Sequence, residues 1–198
     1  MTIYALSSGS GLAGVAVVRV SGPDAGNVFK LLTKSENPKP RIAQLKKINN
    51  INTSELIDEA IIIWFPGPES YTGEDVVEFH IHGGKAVVQA LLNEISKVKN
   101  CRLAEPGEFT KIAFQNGKIN LLKAESIADL ISAETEMQRL QAIKIMRGKS
   151  SEKFNELREK LLKLLSFVEA KIDFPEEELP EENLKKIKQD SSDVLNEI

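Results

Sequence analysis

The 198-residue chain contains one cysteine, two histidines and one tryptophan. A single thiol, Cys101, excludes an internal disulfide and a multi-cysteine metal site, and fits a reducing compartment. No run approaches the roughly 18 apolar residues that a membrane span needs, so no membrane partner is expected. The chain opens directly on the strand-like Thr2–Leu6, with no basic segment leading into an apolar one, so no targeting signal is read and a cytoplasmic location is expected. Net charge is −3, which argues against strong electrostatic binding of nucleic acid by this piece alone. What remains is ordinary for a globular protein: 41% apolar and 28% charged residues, enough to bury a sizeable core in one or two domains.

Against that background, residues 67–84 (GPESYTGEDVVEFHIHGG) stand out. Strand side chains repeat every two residues. Val77, Phe79 and Ile81 therefore share one face, and Glu78, His80 and His82 share the other. Both histidines of the protein lie beside a carboxylate, a concentration of titratable groups that a purely structural strand does not need. Gly83-Gly84 is read as a tight exit into a helix. Glu78-x-His80-x-His82 has the makings of three metal ligands. A lone strand offers no fourth group, however, and no metal is expected. Glu74-Asp75 reads either as loop filler or as a brace for the Ser70–Gly73 turn.

The first half alternates strands and helices. A Gly-rich loop over Ser7–Gly14 precedes a β-branched strand, Val15–Val20. Ala25–Thr33 reads as a helix with Val28, Phe29 and Leu32 on one side. Residues 37–40 read as a loop. Ala43–Ile48 and Glu59–Phe65 read as a hairpin across Asn49–Ser54. A helix is expected over Lys85–Val98 and a loop around Asn100–Pro106. Pro106 suits the first turn of a helix continuing over Gly107–Gln115, and Asn116-Gly117 ends it.

From Leu121 the chain reads as helical. Phe154, Leu157, Leu161, Leu164, Leu165, Val168 and Ile172 recur at spacings of three and four, an amphipathic stripe. Asp173-Phe174-Pro175 is read as its stop, residues 176–182 as an acidic linker, and a last helix runs to Ile198. The expected class is α+β: a mixed-sheet domain over 1–118, then a helical segment over 119–198. With nothing after Ile198 to close a core, the expectation is a fragment of a longer protein.

Several runs together carry a resemblance: 14–22 (GVAVVRVSG), 64–68 (WFPGP), 70–75 (SYTGED), 82–84 (HGG), 104–110 (AEPGEFT), 113–121 (AFQNGKINL), 124–131 (AESIADLI) and 172–177 (IDFPEE). In this order they resemble the N-terminal part of the tRNA modification GTPase family MnmE, also called TrmE. The resemblance implies a folate-binding α+β domain and the first part of a helical domain, with a GTPase domain inserted further on. It implies a homodimer through the N-terminal domain. It also implies work with the flavoprotein GidA (MnmG) to place a carboxymethylaminomethyl-type group on carbon 5 of the tRNA wobble uridine. The one-carbon unit would come from a tetrahydrofolate derivative, 5-formyl or methylene.

GTP, magnesium and potassium would belong to the absent GTPase domain. That domain needs a Gly-x-x-x-x-Gly-Lys-Ser/Thr loop. Gly148-Lys149-Ser150 has Ile143 where the first glycine must stand, and reads as a helix-surface coincidence. The family's C-terminal Cys-x-Gly-Lys is not matched by Cys101, which Arg102-Leu103 follows.

The family's folate contacts carry over by motif to Arg19, Glu78 and Lys118, and no catalytic residue is assigned. A carboxylate accepts the paired donors of a pterin's 2-amino-4-oxo edge, and a cation suits its anionic tail. Each residue also has an ordinary reading. Arg19 suits a snorkelling or edge-strand arginine, Glu78 a solvated strand face, and Lys118 a complement to a helix dipole. His82 lies in the matched His-Gly-Gly run, and His80 does not clearly match. The alternative function is a dimerisation and scaffold module without active folate chemistry.

Overall fold

The computed structural model describes residues 1–36, 38–173 and 181–197. It divides into two units, residues 1–120 and 121–198.

The first unit is a six-stranded mixed sheet with helices. Its strands are β1 (Thr2–Leu6), β2 (Ala13–Ser21), β3 (Gln44–Asn49), β4 (Leu56–Phe65), β5 (Val76–Gly83) and β6 (Cys101–Leu103). The sheet order is β3-β4-β5-β2-β1-β6, antiparallel throughout except for the parallel β1–β6 pair. Its helices are α1 (Ala25–Thr33), α2 (Lys85–Ser96) and α3 (Glu108–Gln115).

One face of the sheet makes the core. Val18 and Val20 of β2, Ile62 of β4, and Val77, Phe79 and Ile81 of β5 are all buried there. Against them pack Val28, Phe29 and Leu32 of α1 and Leu91 and Ile95 of α2, at the three- and four-residue spacings of a helical stripe. Each fully buried side chain of this size contributes roughly 1.5–3 kcal/mol of transfer free energy. Glu94 of α2, almost wholly buried, ties down the β3–β4 turn. It accepts from Asn50 Nδ2 at 2.8 Å and the Ile51 N–H at 3.0 Å, and pairs with Lys97.

Several boundaries differ from the sequence reading: β2 begins at Ala13 and β4 at Leu56, α2 ends at Ser96, and three differences bear on the site's surroundings. The stretch read as a loop around Asn100–Pro106 contains β6, whose three residues are too short to show an alternation. Its existence depends on backbone partners in β1, with Thr2 N–H donating to Asn100 O and Ala104 N–H to Tyr4 O. Pro106 lies outside α3, because Gly107 takes a left-handed conformation (φ 74°) and the helix begins at Glu108. Gly83 is still a strand residue. A Cβ on it would lie 2.4 Å from Ala13 O, so the close passage of β2 demands the glycine there.

The second unit holds α4 (Leu121–Ser132), α5 (Glu136–Met146), α6 (Lys149–Asp173) and α7 (Glu181–Glu197). Thr135 and Gln138 form a capping box at the start of α5. Gly148, at φ 89°, sits at the junction between α5 and α6 and not on the surface of a continuous helix. Of the predicted stripe on α6, Leu164 is buried, while Phe154, Leu161, Leu165, Val168 and Ile172 are exposed. The stop at Phe174-Pro175 and most of the acidic linker lie outside the described residues, as do Asn37 and Ile198. Glu181 and Glu182, read as linker, already belong to α7. Among the described residues, no helix is long and apolar enough to cross a membrane.

Candidate functional site

The sheet face opposite the core carries the titratable groups. Arg19 of β2 and Glu78 of β5 stand directly opposite each other in the antiparallel ladder. Register alone therefore brings their side chains together. Arg19 Nε donates to Glu78 Oε1 at 2.9 Å, and Nη2 lies 2.8 Å from the same oxygen. Both side chains are mostly covered, at 25% and 16% exposure, so the pair is less screened than a surface ion pair. The guanidinium lies 5.2 Å from the Tyr71 ring centre and 5.5 Å from that of Phe109, within cation–π range of both.

The loop between β4 and β5 is fastened around this pair. Ser21 and Thr72 hydroxyls meet at 2.7 Å, and Ser21 Oγ donates to Glu74 Oε2 at 3.3 Å. Ser70 Oγ donates to the Glu74 carbonyl, and the Gly67 N–H to Asp75 Oδ1 at 2.9 Å. Glu74 and Asp75 thus brace the loop and are not filler. On the other side, Tyr71 Oη meets Thr110 Oγ1 of α3 at 2.9 Å, and Asn116 Nδ2 donates to Thr72 O at 2.8 Å. Gly73 lies at φ 81°, and a Cβ there would stand 3.3 Å from Lys118 Cγ. Lys118 therefore joins the site through the loop, its stem against Gly73.

Of the three residues singled out from sequence, two form a direct ion pair and the third packs on the loop beside them. Tyr71 and Phe109 were not singled out. They sit inside the 70–75 and 104–110 runs, and only the tertiary fold stacks them on Arg19.

The histidines separate. His80 Nε2 lies 3.4 Å from Glu78 Oε2. His82 turns to Asp58 of β4. Its Nδ1 is 2.7 Å from Asp58 Oδ1, and its backbone N–H donates to Oδ2 at 2.8 Å. Among the described residues, no three His, Cys, Asp or Glu side chains gather as a metal site. Cys101 is half-buried, and burial pushes its thiol up to about 11, which leaves it unreactive near neutral pH.

The family described as the GTP-binding protein TrmE N-terminus matches residues 2–118, and the MnmE helical domain matches residues 121–198. The chain belongs to the MnmE (TrmE) family. The tRNA modification GTPase MnmE of Pelagibacter ubique strain HTCC1062 is 73% identical over 195 residues, 98% of this chain and 44% of that protein. The MnmE proteins of Rickettsia prowazekii strain Madrid E and Parvibaculum lavamentivorans are 48% and 45% identical over 197 residues, 100% of this chain and 44% and 45% of those proteins. The chain thus spans less than half the length of these MnmE relatives. The mixed sheet followed by helices is consistent with an N-terminal domain over 2–118 and a helical domain over 121–198.

Proposed function

We propose that residues 1–118 bind a reduced folate at the Arg19–Glu78 pair, and that residues 119–198 begin the helical domain of a tRNA-modifying GTPase. In the whole protein, acting with GidA (MnmG) in the cytoplasm, the site would supply a tetrahydrofolate one-carbon unit. That unit serves the carboxymethylaminomethyl-type modification at carbon 5 of the tRNA wobble uridine. GTP hydrolysis, with its magnesium and potassium, belongs to a domain outside this chain.

The observation that carries the reading is the division of the Glu78 carboxylate. Arg19 takes Oε1, and among the described residues no hydrogen bond reaches Oε2. An ionised carboxylate is acceptor-only, and its free oxygen suits the adjacent donors of a pterin edge. Tyr71 and Phe109 supply flat apolar surface beside it. Lys118 is the cation available for an anionic tail. These donors and walls fit a folate. When bound, the folate supplies the one-carbon unit, while Glu78 and Arg19 orient its ring.

Calorimetry with 5-formyltetrahydrofolate tests this. Glu78→Ala leaves pterin donors unpaired in a partly dry site, and affinity should fall about ten- to hundredfold. Unchanged binding would remove Glu78 from the site.

The scaffold reading draws on a separate observation. Leu45 and Ile61 stand opposite each other and exposed on the sheet face that carries Arg19, and exposed apolar side chains side by side suit an interface. A homodimer through the N-terminal domain is therefore part of the proposal. A mass in sedimentation equilibrium that stays monomeric at all concentrations would refute it. Dimerisation without folate binding would favour the scaffold alone.

A further inference from the structure

His80 is the one titratable side chain on this face that the folate reading leaves unused between Glu78 and His82. It stands in the middle of β5, flanked across the two ladders by Val17 of β2 and Ile61 of β4. Neither neighbour offers a side-chain acceptor. The ring is partly exposed, yet Nε2 is buried and makes no hydrogen bond among the described residues. A buried nitrogen in that state is costly. What it faces is Glu78 Oε2, at 3.4 Å. This is the oxygen that Arg19 leaves open, and the one the proposed ligand would use.

The chemistry of the two groups fixes the tautomer. Glu78, held by Arg19, only accepts. A neutral imidazole has one N–H and one lone pair. A lone pair on Nε2 would oppose the lone pairs of Oε2, so the proton belongs on Nε2. We propose that His80 is a positioning residue of the ligand site. It carries its proton on Nε2 and holds Glu78 Oε2 in place for a ligand that presents paired N–H donors, as a 2-amino-4-oxo pterin edge does. A small swing of Oε2 closes the His80 contact into a hydrogen bond, and a carboxylate so oriented meets the ligand without further ordering. The inference rests on the folate reading of the same site.

The test uses the chain as it stands, with His80→Gln, His80→Leu and Glu78→Gln. The Gln amide nitrogen reaches about as far as the imidazole Nε2 and keeps a donor there. Calorimetry with 5-formyltetrahydrofolate should show His80→Leu weakened about five- to tenfold and His80→Gln within about twofold of the parent. Long-range nitrogen–proton spectra of the parent should show a pyrrole-type Nε2 on His80, assigned by its loss in His80→Gln, that shifts in Glu78→Gln. Leu and Gln variants that bind alike, or a pyrrole-type Nδ1 on His80, would overturn the proposal. If His80→Leu does not fold, His80→Gln and the parent spectra decide. If the parent binds no folate, the folate reading falls by itself. His80 is then judged on the nitrogen shifts alone, with a pyrrole-type Nε2 coupled to Glu78 sustaining its hold on the carboxylate.

Discussion

Asp58 grips His82 twice, once at the ring and once at the backbone. One carboxylate oxygen meets Nδ1 at 2.7 Å, and the other accepts the main-chain N–H at 2.8 Å. A third bond comes from the Glu59 N–H at 2.8 Å. Burial opposes ionisation of this carboxyl, but the bonds from His82 and Glu59, with the charge of His82, outweigh it and hold Asp58 below the ordinary carboxylate range. A depressed folded pKa means that stability is present above the unfolded value, near 3.9, and is lost as pH falls through the folded one. Asp58→Asn should therefore cost about 1–2 kcal/mol at pH 6–7. The gap to the parent should narrow below about pH 4. Urea unfolding at several pH values measures both, and a gap that is constant down to pH 2 would contradict the pairing.

Glu108 gives a second pH dependence at the sheet's far edge. Its two oxygens bond Arg102 of β6, and Oε2 also accepts the Glu105 N–H at 2.8 Å. The Arg102 bonds first, then the backbone bond, pull its pKa down to about 2. The link between β6 and α3 is thus intact above about pH 4.5 and fails toward pH 2. Amide exchange across Cys101–Leu103 and the first turn of α3 should accelerate together in Glu108→Gln at neutral pH. Acceleration at one without the other would mean that the pair does not couple them.

Neighbouring residues of β5 should respond in opposite ways. Phe79 is fully buried in the core, and Phe79→Ala should cost about 3–5 kcal/mol of stability. Glu78→Ala removes the partner of a mostly covered arginine and should cost about 1 kcal/mol, its main effect falling on folate affinity. Equal destabilisation by the two would mean that the face assignment along this strand is wrong.

Gly83→Ala should be disproportionately damaging for one methyl group. Its Cβ would meet the Ala13 carbonyl at 2.4 Å, so β2 must move away. A loss of about 2–3 kcal/mol is expected, against a few tenths for Gly84→Ala, whose Cβ would meet only Val87 at 4.0 Å. Chemical denaturation of the two variants side by side checks the contrast.

These cases also show where a sequence speaks plainly. The alternation over Val76–His82 named the buried and open faces of β5 because period-two burial is written residue by residue. The stripe in α1 was legible for the same reason at its own period. β6 was not, since a three-residue edge strand exists through hydrogen bonds to β1 that leave no side-chain pattern. The Arg19–Glu78 pairing depends on the register between distant strands. The Tyr71 and Phe109 stack depends on where a loop and α3 come to rest. Motif resemblance pointed to Arg19, Glu78 and Lys118 as separate residues and not to the ion pair that joins the first two. It gave no reason to single out the aromatic rings, because a motif marks which residues recur and not what they touch.

The strand order has a temporal side. β1 lies between β2 and β6, its immediate successor in the chain and the last strand to be made. On the ribosome, the first two strands can meet early, but Thr2–Tyr4 must wait with one edge bare until Cys101–Leu103 emerges. That parallel seam is the sheet's longest-range pairing by chain separation, and the last that synthesis permits to close. Until Cys101–Leu103 has been made, the edge of β1 that faces it stays unpaired, so this seam closes after the rest of the sheet.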